Sequence, residues 1–276
     1  LNLKPETRNR SHMPNPIIQV KDLTVRFGSH TVLDGITFDV HPGEVFVILG
    51  ESGCGKTVLL KHIIGLFTPD EGDILIQGES IVDNPNLAGQ IAIDKFGVLY
   101  QSSALFGSMT ILENVALPLD EHTDLPKSVI CTLAREKLRA AGLDGVGAQL
   151  PNSLSGGMQK RAALARAMIL DPPLLFLDEP SSGLDPVTSA DLDQLILDLR
   201  DRYGTTMVIV SHELDSVLTV ADNAILLKDA RIAAGGPMKS ILESEEDNWV
   251  EGFLTRKGTR GQNKKTVPDN PVTTTQ

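Results

Sequence analysis

The sequence predicts an α/β fold built around a mainly parallel sheet, and three observations carry that expectation. An apolar run, Val45–Leu49, leads into Gly50-Glu51-Ser52-Gly53-Cys54-Gly55-Lys56-Thr57 and then into an apolar helical stretch; this is the strand, glycine loop and helix order of a phosphate-cradling segment. A second apolar run, Leu174–Leu177, ends in two acids, Asp178 and Glu179. Strand-like and helix-like stretches then alternate as Leu174–Leu177, Val187–Arg202, Thr205–Val210 and Leu214–Ala221, the βαβ pattern of a parallel sheet.

The N-terminal elements alternate differently. Ile18–Val20, Leu23–Phe27 and Ile36–Val40 switch between apolar and polar residues and read as short antiparallel strands separated by turns. Pro42-Gly43 marks a turn, and the unbroken apolar run Val45–Leu49 suits a strand buried on both faces. A helix is expected from about Lys56 to Gly65. A second helical zone is expected from Pro126 to Leu170, with Val129, Leu133, Leu138 and Leu143 on its dry face and Arg135, Glu136, Lys137 and Arg139 on its wet face. Residues 1–16, with Pro5, Pro14 and Pro16 and no period, are expected to be a flexible tail. Residues 256–276, rich in Thr, Asn, Lys and Pro, are expected to be a disordered one. That leaves 17–255 as one domain without an internal repeat.

Composition narrows the function classes. The net charge of −11 argues against nucleic acid as a partner, because such binders carry a basic face. No apolar run approaches the roughly 20 residues that cross a bilayer, so a membrane role is expected to run through a partner. Cys54 and Cys131 form no disulfide framework and suit a reducing compartment. Cys131 reads as packing. Cys54 lies in the glycine loop beside Lys56 at a helix start, surroundings expected to favour its thiolate.

The motifs carry the chemistry. In Gly50–Thr57 the glycines let backbone N–H groups close around phosphate oxygens, Lys56 reaches the β- and γ-phosphates, and the Thr57 hydroxyl ligates Mg²⁺. The plain alternative, a glycine turn between strand and helix, is disfavoured by the flanking strand and apolar helix. In such an enzyme Asp178 stands beside Mg²⁺ and Glu179 faces the attacking water, although many strands end in surface acids. Leu154-Ser155-Gly156-Gly157-Met158 opens the helical stretch Gln159–Leu170 and makes a second anion-binding helix start, if it is more than a loop. Two such starts separated by a whole helical region make sense if they meet across a two-fold axis on one γ-phosphate.

In their order, Gly50–Thr57, Gln101, Leu154–Met158, Leu174–Glu179, Ser182-Gly183-Leu184-Asp185-Pro186 and His212 resemble the ATP-binding cassette family over residues 17–255. The resemblance implies an α/β P-loop NTPase, a RecA-like core with an antiparallel β-subdomain and a helical signature subdomain, using ATP and Mg²⁺. It implies that Gln101 touches Mg²⁺ and the water, and that Ser155, Gly156 and Gly157 bind the γ-phosphate of the opposite protomer. Asp185 matches the loop that cross-talks between the two sites, and His212 the switch histidine; a strand-end surface histidine, its plain alternative, is disfavoured after Val208–Val210. Phe27 falls where the family stacks an aromatic ring, usually Tyr, on adenine; a core phenylalanine is its plain alternative.

A closer resemblance lies in Tyr100–Phe106, Glu113–Leu119, Glu121–Pro126, Ser155–Met158 and Arg161–Ala167. These segments resemble the ATPases of Mla-type (MCE) phospholipid transporters of Gram-negative bacteria. The implied partners are a second copy of the chain, an integral membrane permease, an MCE-domain ring and a STAS-domain subunit, with the ATPase on the cytoplasmic face of the inner membrane. The alternatives are the ATPase of a polar-solute importer and a non-transport ABC protein of DNA repair or the ribosome. Against the last stand the single cassette and the lack of a coiled-coil insertion. The signature segment excludes a P-loop kinase.

Overall fold

The computed structural model describes residues 15–84, 89–91, 94–243 and Gly252. The tail expected at 256–276, and all but the last two residues of that expected at 1–16, lie outside the described residues.

Two sheets organise the chain. The first is antiparallel, ordered β2-β1-β4-β5, from β1 (Ile18–Phe27), β2 (His30–Val40), β4 (Glu71–Ile76) and β5 (Glu79–Ser80). Where the sequence suggested two strands, Ile18–Val20 and Leu23–Phe27, β1 runs through both. It absorbs the break as a register shift at Asp22, whose φ is 47° and whose N–H donates to Thr37 Oγ1 at 2.8 Å. The second sheet is ordered β10-β9-β3-β8-β7-β6, from β3 (Val45–Gly50), β6 (Phe96–Leu99), β7 (Leu174–Asp178), β8 (Thr206–Ser211), β9 (Asn223–Lys228) and β10 (Arg231–Pro237). It is parallel except for the β9–β10 hairpin.

Every residue of β3, β7 and β8 is buried, which is why these strands read as continuous apolar runs. Their alternate residues feed two cores. Val45, Val47, Leu49, Leu175, Leu177, Met207 and Ile209 face one; Phe46, Ile48, Leu174, Phe176, Val208 and Val210 face the other. The second core is closed by α1 (Lys56–Ile63) and the antiparallel sheet, and the Phe176 ring stands edge-on to Phe96 with centroids 5.0 Å apart.

The first core is closed largely by helices. α2 (Ile111–His122), α3 (Lys127–Ala140) and α4 (Gly156–Ala167) pack on one another, and α5 (Pro186–Tyr203), α6 (Leu214–Val220) and α7 (Met238–Glu243) complete the helical set. The zone expected at Pro126–Leu170 is therefore two helices, separated by a segment that includes a 3-10 turn at Pro151–Ser153. The dry face of α3 also differs from expectation: Val129 is 41% exposed, and Ile130, Ala134 and Leu138 are buried. The helix presents the stripe Ile130, Ala134 and Leu138, with Leu133 partly buried beside it, to the core, so Leu138 lies where expected and Val129 does not. Leu143 is buried beyond the helix end, after Gly142 turns the chain at φ 73°. Helix α2 is not among the elements expected from the sequence, and Pro118 lies inside it. Its start, however, is a capping box: Glu113 N–H donates to Thr110 Oγ1 and Thr110 N–H to Glu113 Oε2.

Candidate functional site

Parallel pairing puts the chemistry at one edge. Leu49 pairs with Ser211, Asp178 with Val210 and Leu99 with Leu177. The carboxyl ends of β3, β8, β7 and β6 therefore bring Gly50, His212, Asp178, Glu179 and the turn at Gln101 to the same rim, where open parallel sheets bind ligands.

The loop Gly50–Thr57 closes tightly at that rim. Gly50 has φ 155°, and a Cβ there would stand 2.5 Å from Cys54 Sγ and 2.7 Å from the Leu227 carbonyl. Gly55 caps α1 at φ 102° with no side-chain hydrogen bond, so no side chain takes up the N–H groups of the first turn. Lys56 is buried, and its Nζ donates to Gly50 O at 2.8 Å and Glu51 O at 2.9 Å, folding the ammonium into the loop. Beside the loop lies a cleft of about 470 Å³ lined by His30, Val32, Glu51–Cys54, Leu227 and Asp229. Phe27, paired with His30 at the β1–β2 turn, is 57% exposed, so it is not a core residue. Its ring is open to solvent, and its strand partner His30 lines the cleft.

Asp178 and Glu179 are both buried at the end of β7. Burial, then the Glu179 carboxylate, pushes the Asp178 carboxyl up, against the pull of Thr57, Lys61 and Lys160. Thr57 Oγ1 lies 3.5 Å from Asp178 Oδ1. A hydroxyl and a raised carboxylate side by side are hard oxygen donors, and they suit a small divalent cation that completes its shell with phosphate and water. Glu179 is held at φ 49°, a left-handed conformation costly for a residue with a Cβ. Its N–H donates to Val210 O at 2.9 Å, and both carboxylate oxygens lie 2.8 Å from His212 Nδ1.

Gln101 is exposed at the head of a turn in which Ser103 and Ala104 also take positive φ, 64° and 49°. Two cations of α4 hold this turn by its carbonyls: Lys160 bonds Gln101 O, and Arg166 bonds Ser103 O and Ala104 O. The sequence assigns neither cation a role; Arg166 stands there only as part of the segment Arg161–Ala167. A signal existed for Lys160, which continues the buried stripe Gly157, Lys160, Leu164 at helical spacing.

The signature segment forms the start of α4. Ser155 is its N-cap and accepts from Met158 N–H at 3.3 Å; Ser155 and Gly156 are exposed, and Leu154 is anchored in the core. Gly157 is a packing requirement, since a Cβ there would stand 2.4 Å from Thr188 Cγ2. Asp185 caps α5, accepting from Val187 and Thr188 N–H at 3.1 Å and from Thr188 Oγ1 at 2.6 Å. The Thr188 bonds hold its carboxyl below the usual range.

Cys54 corrects an expectation. Burial pushes its thiol up, and the pull of Lys56 does not offset it. The sulfur lies in the tight loop under Gly50 and packs against the second core. Desolvation outweighs the local positive field.

The sequence profile of the family described as ABC transporter matches residues 33–182. The chain is 45% identical over 83% of its length to a Mycobacterium leprae protein named "Probable ribonucleotide transport ATP-binding protein mkl". The match spans just under two thirds of the mycobacterial relatives, 66% in M. leprae and 64% in M. tuberculosis. It is 40% identical to the "Intermembrane phospholipid transport system ATP-binding protein MlaF" of Haemophilus influenzae, over 87% of this chain and 90% of that one. Among solved structures, the dimeric post-hydrolysis state of the ATP-binding cassette MJ0796, bound to ADP and Pi, superposes with TM-score 0.73 at 30% identity, covering 80% of this chain and 98% of that one. The cbiO1 subunit of Clostridium perfringens superposes with TM-score 0.77 at 26% identity, covering 88% and 94%.

Proposed function

Because this chain belongs to the ABC transporter family, we propose that it is the ATP-hydrolysing subunit of a transporter that moves phospholipid between the inner and outer membranes. The carrying observation is the convergence, at one sheet edge, of Lys56 and the open N-terminus of α1 with Thr57, Asp178, Glu179, His212 and Gln101.

The backbone N–H groups of Gly50–Thr57 and the Lys56 ammonium receive the β- and γ-phosphates. Phe27 stacks on the adenine. Thr57, Asp178 and Gln101 hold Mg²⁺, which when bound neutralises charge on the phosphate oxygens. Glu179 accepts a hydrogen bond from the attacking water, and His212 keeps the carboxylate turned toward it. Ser155, Gly156 and Gly157 are supplied by a second copy of the chain, so each ATP lies between the glycine loop of one protomer and the signature helix of the other, with Asp185 on the path between sites. In support, the structural relative MJ0796 is dimeric.

The cassette is residues 17–255. It docks on an integral membrane permease at the cytoplasmic face of the inner membrane, within an assembly that includes an MCE-domain ring and a STAS-domain subunit. No helix among the described residues is long and apolar enough to cross a membrane. Phospholipid is favoured as cargo by the extent of the match, since the alignment takes in 90% of the Haemophilus influenzae relative named for phospholipid transport. The name of the mycobacterial relatives, more identical at 44–45%, supports a second reading, ribonucleotide as cargo.

The test is to purify the chain with its membrane partners, measure phosphate release from Mg-ATP, and identify co-purifying molecules by mass spectrometry. Mg-dependent hydrolysis and transfer of labelled phospholipid between vesicles are expected. Absence of hydrolysis overturns the ATPase assignment. Hydrolysis stimulated by ribonucleotide and not by phospholipid overturns the cargo.

A further inference from the structure

Lysine is rarely buried unless something holds its ammonium. Lys160 is 5% exposed, and burial lowers its basicity against the pull of Asp178 and Glu179. What holds it is the main chain. Nζ donates to Gln101 O at 2.5 Å and to Glu179 O at 3.1 Å. Those residues lie on different strand ends, after β6 and β7. One ammonium thus ties together the backbones that carry two of the groups assigned to the attacking water.

The conformations it holds are ones the chain would not keep unaided. Glu179 is left-handed at φ 49°, and the Gln101 turn contains two further left-handed residues, Ser103 and Ala104. Such conformations persist in residues with a Cβ only where surrounding contacts over-determine them. Around Glu179 those contacts are its N–H to Val210 O, its carboxylate to His212 and its carbonyl, which accepts from both Lys160 and Ser182 N–H. Around the Gln101 turn they include Lys160 at one end and Arg166 at the other. Both cations project from α4, whose first turn carries Ser155 and Gly156. A displacement of α4 therefore pulls on Gln101 and Glu179 together.

We propose that Lys160 is a positioning residue for hydrolysis, setting the spacing between Gln101 and Glu179 and coupling both to the signature end of α4. This rests on the ATPase assignment above. Lys160 acts on turnover and leaves ATP binding alone, because its partners are the carbonyls behind the water-facing side chains rather than the glycine loop.

The experiment uses the full chain assembled with its membrane partner. Lys160→Met keeps the length and removes every donor; Lys160→Gln keeps an amide donor without the charge. Misplacing groups around a reacting water costs on the order of tenfold to a hundredfold, so Lys160→Met is expected to lower kcat at least about tenfold. The ATP dissociation constant should stay within about twofold, and Lys160→Gln should fall between parent and Met in kcat. The further loss caused by Gln101→Ala should shrink in the Lys160→Met background, because the two changes damage one arrangement. A kcat within about twofold of the parent in either folded variant overturns the proposal, as does ATP affinity falling in step with kcat, or losses that simply multiply. Should Lys160→Met fail to fold, Lys160→Gln carries the same criteria. The parent assayed alongside separates the failures: a parent that does not hydrolyse defeats the ATPase assignment, while a competent parent with undiminished variants defeats only the role of Lys160.

Discussion

His212 Nδ1 stands 2.8 Å from both carboxylate oxygens of Glu179, across 33 residues of sequence. A carboxylate only accepts, so it is the imidazole that donates, through Nδ1, to Glu179. The Glu179 side chain is 10% exposed and the His212 side chain 51%. The histidine forms the outer wall and the glutamate is the shielded group.

Glu179→Gln keeps this shape and removes the negative charge. Turnover should fall by about 10²-fold to 10⁴-fold, the usual contribution of a group that handles the water proton. ATP binding should survive, because the glycine loop is untouched. The variant should dimerise in Mg-ATP, read by gel filtration or sedimentation. Hydrolysis near the parent rate would remove Glu179 from the reaction.

Ser155→Arg places a bulky cation at the exposed N-cap of α4. It should stop hydrolysis while leaving ATP binding to the isolated chain intact, since in the proposed dimer Ser155 acts on the nucleotide of the other protomer. Mixing it with Lys56→Ala protein should restore part of the activity, because one composite site of the heterodimer is then whole. Loss of ATP binding by the Ser155→Arg monomer would contradict action in trans.

Gly157→Ala tests packing at the same helix start. The new Cβ would meet Thr188 Cγ2 at 2.4 Å, and Thr188 cannot swing aside without giving up its bond to Asp185. Overpacking of this kind costs about 1–3 kcal/mol. Adding Thr188→Ser removes the obstructing methyl, keeps a hydroxyl for Asp185, and should recover most of the loss in chemical denaturation. No recovery would place the strain elsewhere.

Asp193, on α5, is 3% exposed and accepts a hydrogen bond from Ser216. Burial, with Glu213 nearby, pushes its carboxyl up, outweighing the Ser216 bond. The folded chain therefore binds this proton more tightly than the unfolded chain. Its contribution is most favourable below the ordinary carboxylate value, and stability is lost as pH rises through the raised folded value. Asp193→Asn keeps an acceptor for Ser216 and does not titrate. Its stability relative to the parent should improve as pH rises through that window, measured as urea midpoints at several pH values. A difference that is flat, or that grows on acidification, would contradict the sign.

Cys54 should alkylate slowly near neutral pH, because burial raises its thiol and depletes the thiolate. The labelling rate should keep climbing to higher pH than for an ordinary thiol, and mass spectrometry separates it from Cys131. Mg-ATP over the loop should slow it further. Faster labelling than an unstructured peptide thiol would show that the local positive field had prevailed.

What the sequence determined by itself was local chemistry and doubly buried strands. The phosphate cradle is legible because its donors come from eight consecutive residues, Gly50–Thr57, whose glycines and lysine are needed in that order. The runs of β3, β7 and β8 are legible because burial on both faces leaves no polar alternation. Tertiary structure decided the rest. It turned α3 so that Ile130 and Ala134, rather than Val129, face the core. It buried Lys160 against two main-chain carbonyls, and an acceptor that every residue possesses leaves no mark in a sequence. It also reversed the expected direction for Cys54. Proximity to Lys56 and to a helix start can be read along the chain, but desolvation depends on what packs over the sulfur from elsewhere in the fold.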